Sequence, residues 1–168
     1  MKLLQLALAV TIAVAWATPA AAQRYTAKQN GDLVELADAT AQMNVSVVWS
    51  MSNAWKIQVK GKDLVRTAAA LADFQARPGF NGTPFLAPFA NRLDETAFYA
   101  NGKKYNFDLE QGNVRGPIPQ TGYVNGTKAW VLVEAKADAK SAWVTCRLDF
   151  YKSPQFMAET AMPARVWV

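Results

Sequence analysis

One stretch limits the folds open to this chain more than any other, namely residues 82–95, GTPFLAPFANRLDE. Pro84 and Pro88 lie there among apolar side chains, and each proline fixes its own φ and removes a backbone donor. The stretch can therefore be neither a helix interior nor a central strand. We expect an apolar but irregular segment to pack as a buried loop, whose backbone groups need polar partners. Asn91 and Arg92, which follow the apolar run, are suited to supply them.

The rest of the chain predicts an antiparallel β domain with one short helix. Asn101 and Gly102 lie between β-forming residues, which is the strongest short signal for a hairpin. Residues 67–75 are rich in alanine and predict the helix, with Thr67 as its N-cap. The predicted strands outside the hairpin are residues 33–36, 45–49, 55–59, 130–134 and 142–151.

The amino terminus has the features of a secretory signal peptide. Lys2 supplies a positive charge, residues 3–16 form an apolar run, and residues 20–22 are an Ala-Ala-Ala cleavage site. The apolar run is too short for a membrane anchor, which needs about 20 apolar residues. The sequence therefore predicts a signal peptide at residues 1–22 and a mature domain at residues 23–168. We expect the mature domain to be periplasmic or extracellular, with no membrane attachment after cleavage.

Charge and composition argue against several classes of function. The formal net charge is +5, but the basic residues are scattered and only Lys103 and Lys104 are adjacent. A nucleic-acid groove needs clustered charge, so no nucleic-acid partner is expected. Cys146 is the only cysteine and lies in register with apolar residues, which predicts a small buried side chain. Because the chain has no histidine and no second thiol, it offers neither a zinc site nor a Cys-His nucleophile, and no cofactor is indicated.

The run PFLAPFANRLDETAFYANGKKY resembles the start of an aldose 1-epimerase (galactose mutarotase) of the kind that bacteria secrete. In that family an Asn-Arg pair follows a Pro-rich apolar segment, and a Phe, a Gly-turned hairpin and a Tyr come next. The corresponding residues here are Asn91, Arg92, Phe98, Asn101, Gly102 and Tyr105. The resemblance extends over about residues 60–157. It implies a mainly β fold, a partial galactose-mutarotase-like antiparallel β-sandwich, and a monosaccharide ligand, an aldohexose.

A second segment of the resemblance is residues 115–123, RGPIPQTGY. In mutarotases the corresponding segment carries a His-Gly pair whose imidazole reaches the sugar. Here Gly122 matches the glycine, and Thr121 stands where the histidine would be. Thr121 can exchange hydrogen bonds but cannot act as an acid or a base near pH 7. The resemblance thus implies that Asn91, Arg92 and Thr121 bind the substrate.

Catalysis is a separate expectation. Opening a pyranose ring needs a base and an acid, each worth ~10²–10⁴-fold in rate. The resemblance implies that a His supplies the acid and a Glu the base, both on segments in the second half of such proteins. The chain ends at Val168, before either segment, and residues 159–168 no longer follow the family pattern. We therefore expect a truncated, catalytically inactive member of marginal stability, with open strand edges and no catalytic residue of its own.

Two alternatives stay open at this point. One is a secreted carbohydrate-binding β module that uses Asn91, Arg92 and exposed aromatic residues such as Trp130 or Trp143. The other is a structural or interaction β domain without a small ligand. In either case Asp94 and Glu95 are expected to be loop charges or ion-pair partners of Arg92.

Overall fold

The computed structural model describes residues 23–110, 113–160 and 163–168. The signal peptide predicted at residues 1–22 lies outside these ranges. The described residues form antiparallel strands with a few short helical segments, so the prediction of a mainly β chain is confirmed. No helix in the described part is long and apolar enough to cross a membrane.

The larger sheet is a meander of five antiparallel strands that neighbour one another in chain order. Its strands are β1 (Tyr25–Asn30), β2 (Leu33–Asp38), β3 (Met43–Val48), β4 (Asn53–Val59) and β5 (Lys62–Asp63). Lys60 and Gly61 both have positive φ, the geometry of a tight turn between β4 and β5. A register shift between Ser46 and Val47 marks a β-bulge against β4.

Two hairpins and a second sheet follow along the chain. Their strands are β6 (Ala97–Ala100), β7 (Lys103–Asn106), β8 (Asn113–Arg115), β9 (Ile118–Gln120), β10 (Val131–Ala137), β11 (Ala142–Asp149) and β12 (Arg165–Trp167). β6 and β7 form the hairpin predicted from Asn101 and Gly102, whose φ angles are 51° and 69°. β10, β11 and β12 form an antiparallel sheet, and β10 and β11 lie against β1 and β2 of the larger sheet.

The helix prediction needs correction. Two short α-helices occur in the described residues rather than one, α1 (Leu71–Ala76) and α2 (Pro154–Thr160). Thr67 is not the N-cap of α1, because its hydroxyl donates to the carbonyl oxygen of Val65 at 3.1 Å and the helix begins only at Leu71. The position of α1 is set by tertiary packing, since Phe74 is fully buried in a small core with Val48 and Met51.

The main core lies beneath the second sheet and is largely aromatic. Its buried members are Phe107, Tyr123, Val124, Trp130, Cys146, Leu148, Phe150 and Phe156. Cys146 is 2% exposed, which confirms the prediction of a small buried side chain, and this burial raises the pKa of its thiol.

The last described residues cover one edge of β11. β12 pairs with residues 147–149, and the backbone groups of Cys146 and Val168 exchange two hydrogen bonds of 2.8 and 3.0 Å. β11 therefore has strand partners on both sides, and β10 and β12 are the outer strands of this sheet.

The pairing of Arg24 with Asp38 gives a test of this fold through pH. Arg24 donates two hydrogen bonds of 3.0 Å to the carboxylate of Asp38. Together with the backbone N–H groups of Ala41 and Thr40, they lower the pKa of Asp38 to about 2. A lowered folded-state pKa stabilises the protein above the unfolded value of about 3.9, and this stabilisation is lost as the pH falls toward the folded value. We expect Asp38→Asn to be less stable than the parent near neutral pH in urea unfolding. The difference should shrink steadily as the pH falls below about 4.

Asp63→Asn is the control, because Asp63 is an exposed carboxylate of the same sheet. A stability difference for Asp38→Asn that stays constant from neutral to acidic pH would contradict the assignment.

Candidate functional site

The Pro-rich loop, residues 82–95, packs against the aromatic core, but each of its residues is half-buried or exposed, so the prediction of a buried loop is met only in part. Its inward side chains are Phe85, Ala87, Phe89 and Leu93. The ring of Phe89 lies 5.7 Å from that of Phe107 in an edge-on contact, one of the favourable geometries for aromatic pairs. Asn91 and Arg92 are exposed on the same loop. Burial of the apolar side chains thus fixes the loop while leaving these two polar side chains at the surface.

A buried amide holds the start of this loop against β4. Asn53 is 2% exposed, and its Nδ2 donates to the carbonyl oxygen of Asn81 at 3.2 Å. Its Oδ1 accepts the backbone N–H of Thr83 at 3.0 Å. A Cβ added at Gly82 would lie 2.2 Å from that Oδ1, so only glycine fits at this contact.

The loop pairs with the segment that carries Thr121. The contacts are a hydrogen bond from Thr121 N to Asn91 O of 3.3 Å, one from Leu93 N to Pro119 O of 3.2 Å, and a β-bridge between Arg92 and Gln120. These contacts satisfy backbone groups of an irregular loop, as the burial of such groups requires. They also bring together the three residues predicted from the sequence. Asn91 and Arg92 lie on the loop, and Thr121 lies on the other segment, 29 positions after Arg92.

Two successive residues with left-handed backbones turn the second segment toward the loop. Gly122 has φ +67°, and a Cβ added there would lie 1.8 Å from the carbonyl oxygen of Ala87. That same oxygen accepts the N–H of Tyr123 at 2.9 Å. Thr121 has φ +62°, a strained value for a β-branched residue that costs about 1–3 kcal/mol. Strain of this kind persists only where surrounding contacts maintain it. Here the contacts are the hydrogen bonds from Thr121 and Tyr123 to the loop.

The three predicted residues differ in exposure. Thr121 is 3% exposed, and its hydroxyl donates to the carbonyl oxygen of Gln120 at 2.7 Å. Asn91 is exposed, and its Oδ1 accepts the backbone N–H of Arg92 at 2.8 Å. Asn91 therefore supplies one of the polar partners that the loop backbone was expected to need. In the part of the chain that the structure describes, the side chain of Arg92 forms no hydrogen bond with the loop backbone.

The alternative role of Arg92, an ion pair, is not found. Within the described ranges neither Asp94 nor Glu95 lies at ion-pair distance from its guanidinium. The side chain of Arg92 is exposed, so its planar donors are open to solvent.

The aromatic residues named for a carbohydrate-binding module need correction. Trp130 is 2% exposed and belongs to the core, where its ring lies 5.3 Å from that of Phe85. It therefore has no surface on which a sugar could stack. Trp143 is half-buried, and its Nε1 donates to Glu134 Oε1 at 2.7 Å.

The cavities at the junction of the two sheets lie elsewhere. One of about 410 Å³ is lined by β1 and by residues of β10 and β11, including Lys28 and Trp143. Another of about 240 Å³ is lined by residues of β1, β2 and β3 and by residues 140–142. Asn91, Arg92 and Thr121 line neither of these cavities. Among the residues that the structure describes, no group of three or more carboxylate or thiol side chains is placed to hold a metal ion.

Comparison with known proteins identifies the family. The family profile described as aldose 1-epimerase matches residues 34–159, which is most of the chain. No curated protein matches the sequence. The chain belongs to the aldose 1-epimerase family. The resemblance inferred from the Asn-Arg block is thereby confirmed.

Two solved structures share the fold. A galactose mutarotase-like protein from Clostridium acetobutylicum has a TM-score of 0.67 and 21% identity, over 85% of this chain and 43% of its own. The galactose 1-epimerase from Lactobacillus acidophilus NCFM has a TM-score of 0.56 and 17% identity, over 74% of this chain and 37% of its own. The galactose-mutarotase-like fold is confirmed, and this chain spans about two fifths of the length of these structures.

Sequence reasoning missed two residues that build the site. Gln120 provides the backbone bridge to Arg92, and Asn53 fixes the start of the loop from a distant strand. Gln120 directly precedes Thr121 in the segment 115–123, so its position next to a predicted site residue could have identified it. Asn53 carried none, because its partners lie 28 and 30 positions away along the chain.

A pair of glycine variants tests the packing of the two segments. Gly122→Ala places a Cβ against the Ala87 carbonyl, whereas Gly102→Ala meets nothing within 4 Å at a similar φ of +69°. We expect Gly102→Ala to cost about 1–2 kcal/mol from backbone strain alone. Gly122→Ala should cost more than about 3 kcal/mol or prevent folding, because the two segments must move apart to make room for the methyl group. Urea unfolding of the two variants measures the difference, and equal losses of stability would contradict the close approach of the segments.

Proposed function

We propose that this chain binds an aldohexose at the surface that Asn91 and Arg92 expose, where their loop pairs with the segment of Thr121, and that by itself it does not interconvert the sugar's anomers. The observation that supports this most is the backbone pairing of the loop with the Thr121 segment, which joins residues 91–93 to residues 119–121. Membership of the aldose 1-epimerase family supports the sugar as the ligand class. The substrate and activity of the longer relatives are carried to this chain only as part of the proposal.

The three residues have complementary roles in the proposed site. The guanidinium of Arg92 offers up to five planar N–H donors, and the Nδ2 of Asn91 offers two more, which suit the hydroxyl oxygens of a sugar. Both side chains are exposed and therefore accessible to a ligand. Thr121 is buried and has a supporting role, since its backbone N–H donates to Asn91 and its hydroxyl donates to Gln120, which bridges to Arg92. Preorganisation of this kind lowers the cost of ordering the site on binding.

The proposal of no turnover follows from the residues. Anomer interconversion needs an acid at the ring oxygen and a base at the anomeric hydroxyl. The 168 residues contain no histidine, so the acid that the resemblance assigns to a histidine has no counterpart in them. Thr121, which stands in the place of the family's His-Gly histidine, donates its proton to a carbonyl oxygen and does not titrate near neutrality.

Calorimetric titration with galactose and glucose tests the binding proposal. We expect the parent to bind and Arg92→Ala to bind about tenfold to a hundredfold more weakly, as loss of one or two hydrogen bonds from a charged donor predicts. Arg77→Ala is the matched control, because Arg77 is also an exposed arginine and adjoins α1 rather than the loop. Equal affinity of Arg92→Ala and Arg77→Ala would contradict the proposed site.

Polarimetry tests the absence of turnover. Fresh α-galactose should relax to its anomeric equilibrium at the same rate with and without a sub-stoichiometric amount of this chain. A clear acceleration that Arg92→Ala abolishes would show that the chain is itself a catalyst and would overturn this part of the proposal.

A β domain without a small ligand is the second candidate. The observation that favours it is the exposure of Asn91 and Arg92, since most small-ligand sites are concave and largely enclosed. A ligand that binds the folded state raises the melting temperature. The second candidate is supported if neither galactose nor glucose shifts the melting temperature at sugar concentrations well above the dissociation constants that are typical of sugar-binding sites.

A further inference from the structure

A cluster of charged and aromatic side chains surrounds one carboxylate at the end of β11. Arg165 Nε lies 2.6 Å from Asp149 Oδ1, Lys152 Nζ lies 3.2 Å from Oδ2, and Arg147 Nε lies 3.4 Å from Oδ1. The carboxylate is 6% exposed, and its burial alone would raise its pKa. The hydrogen bonds from Arg165 and Lys152 and the charge of Arg147 outweigh this and hold the pKa of Asp149 below its ordinary value.

Two half-exposed aromatic rings lie within the same cluster. The guanidinium of Arg147 lies 5.7 Å from the ring centre of Trp167. Arg165 and Lys152 lie 5.6 and 5.9 Å from that of Tyr151. Tyr151 is 45% exposed and Trp167 is 53% exposed, so both rings keep surface open to solvent. The Asp149 cluster is defined here as Arg147, Asp149, Tyr151, Lys152, Arg165 and Trp167.

The cluster carries an excess of positive charge in a small area. Three cationic side chains face a single carboxylate, which leaves the six side chains with a net charge of +2. Like charges would oppose the pairing of this surface with the same surface of a second copy. An anionic partner would be attracted to it instead.

The compactness of the cluster selects among anionic partners. A nucleic acid is held by cations that follow its phosphate backbone, whereas these three cations surround one point and the other basic residues are scattered along the chain. Exposed aromatic rings beside a few cationic side chains suit a short oligosaccharide that carries one or two carboxylate groups. A sugar ring can lie on Trp167 or Tyr151 while its carboxylate pairs with a cation.

We propose that the Asp149 cluster is a binding site for oligosaccharides that carry carboxylate groups, namely uronates. The cluster includes no residue of the loop of Asn91 and Arg92, and the proposal does not depend on sugar binding there. In it, Lys152 and Arg147 pair with the uronate carboxylates, Trp167 and Tyr151 support the sugar rings, and Asp149 holds the cations in place.

Calorimetry with trigalacturonate at low ionic strength tests the proposal, with maltotriose as the neutral probe. Arg92→Ala serves as the parent of every variant in this experiment, so that the proposed aldohexose site does not contribute. We expect binding of trigalacturonate that weakens as salt is added, and weaker or no binding of maltotriose. Lys152→Ala should weaken trigalacturonate binding about threefold to fivefold, as expected for one exposed charge pair. Trp167→Ala should weaken it about tenfold through loss of ring contact.

Lys136→Ala is the matched control for charge. Its side chain is 63% exposed and pairs with Glu134 on the same sheet, and that of Lys152 is 62% exposed and pairs with Asp149. We expect Lys136→Ala to bind trigalacturonate like the parent, which separates the Asp149 cluster from other exposed lysines of the sheet. A melting temperature equal to the parent's shows that Lys152→Ala is folded.

Four results would overturn the proposal. They are no binding of trigalacturonate by the parent, equal binding of maltotriose, equal losses in Lys152→Ala and Lys136→Ala, and tighter binding of a single-stranded oligothymidylate than of trigalacturonate. The last result would assign the cluster to nucleic acid instead.

Discussion

The approach of Gly122 to the carbonyl oxygen of Ala87 is the contact on which the rest of the site depends. Two segments rich in proline, far apart in the sequence, meet there with no room for a side chain. Because neither segment is a regular strand along its full length, their backbone groups must be satisfied across this contact or by water. The hydrogen bond from Tyr123 N to Ala87 O and the bridge between Arg92 and Gln120 provide that satisfaction.

Much of this arrangement could be predicted from local sequence. Asn101 and Gly102 specified a hairpin because both turn positions favour positive φ, and the structure has those values. The prolines of residues 82–95 excluded regular structure. The apolar residues between them predicted a buried loop, which in the structure is partly buried against the core. The Asn-Arg block pointed to the family, which the match over residues 34–159 shows. In each case the signal lay within a few residues of the structure that it predicted.

What could not be predicted depends on contacts between distant residues. Thr67 has the chemistry of an N-cap, yet α1 begins at Leu71 because burial of Phe74 outweighs the weak preference for a cap. Trp130 reads as a potential surface aromatic, and only the packing of Phe85 against it places it in the core. The cations around Asp149 come from β11, the turn after it and β12, so no local pattern brings them together.

Hydrogen exchange of the Tyr123 and Thr121 amides tests the central claim most directly, because both amides donate across the contact between the two segments. If the segments are paired as described, these amides should be protected to an extent similar to the paired amides of β2 and β3. Exchange as fast as that of the exposed residues 94–96 would show that the segments do not hold one another. The surface that Asn91 and Arg92 expose would then not exist as a preformed site.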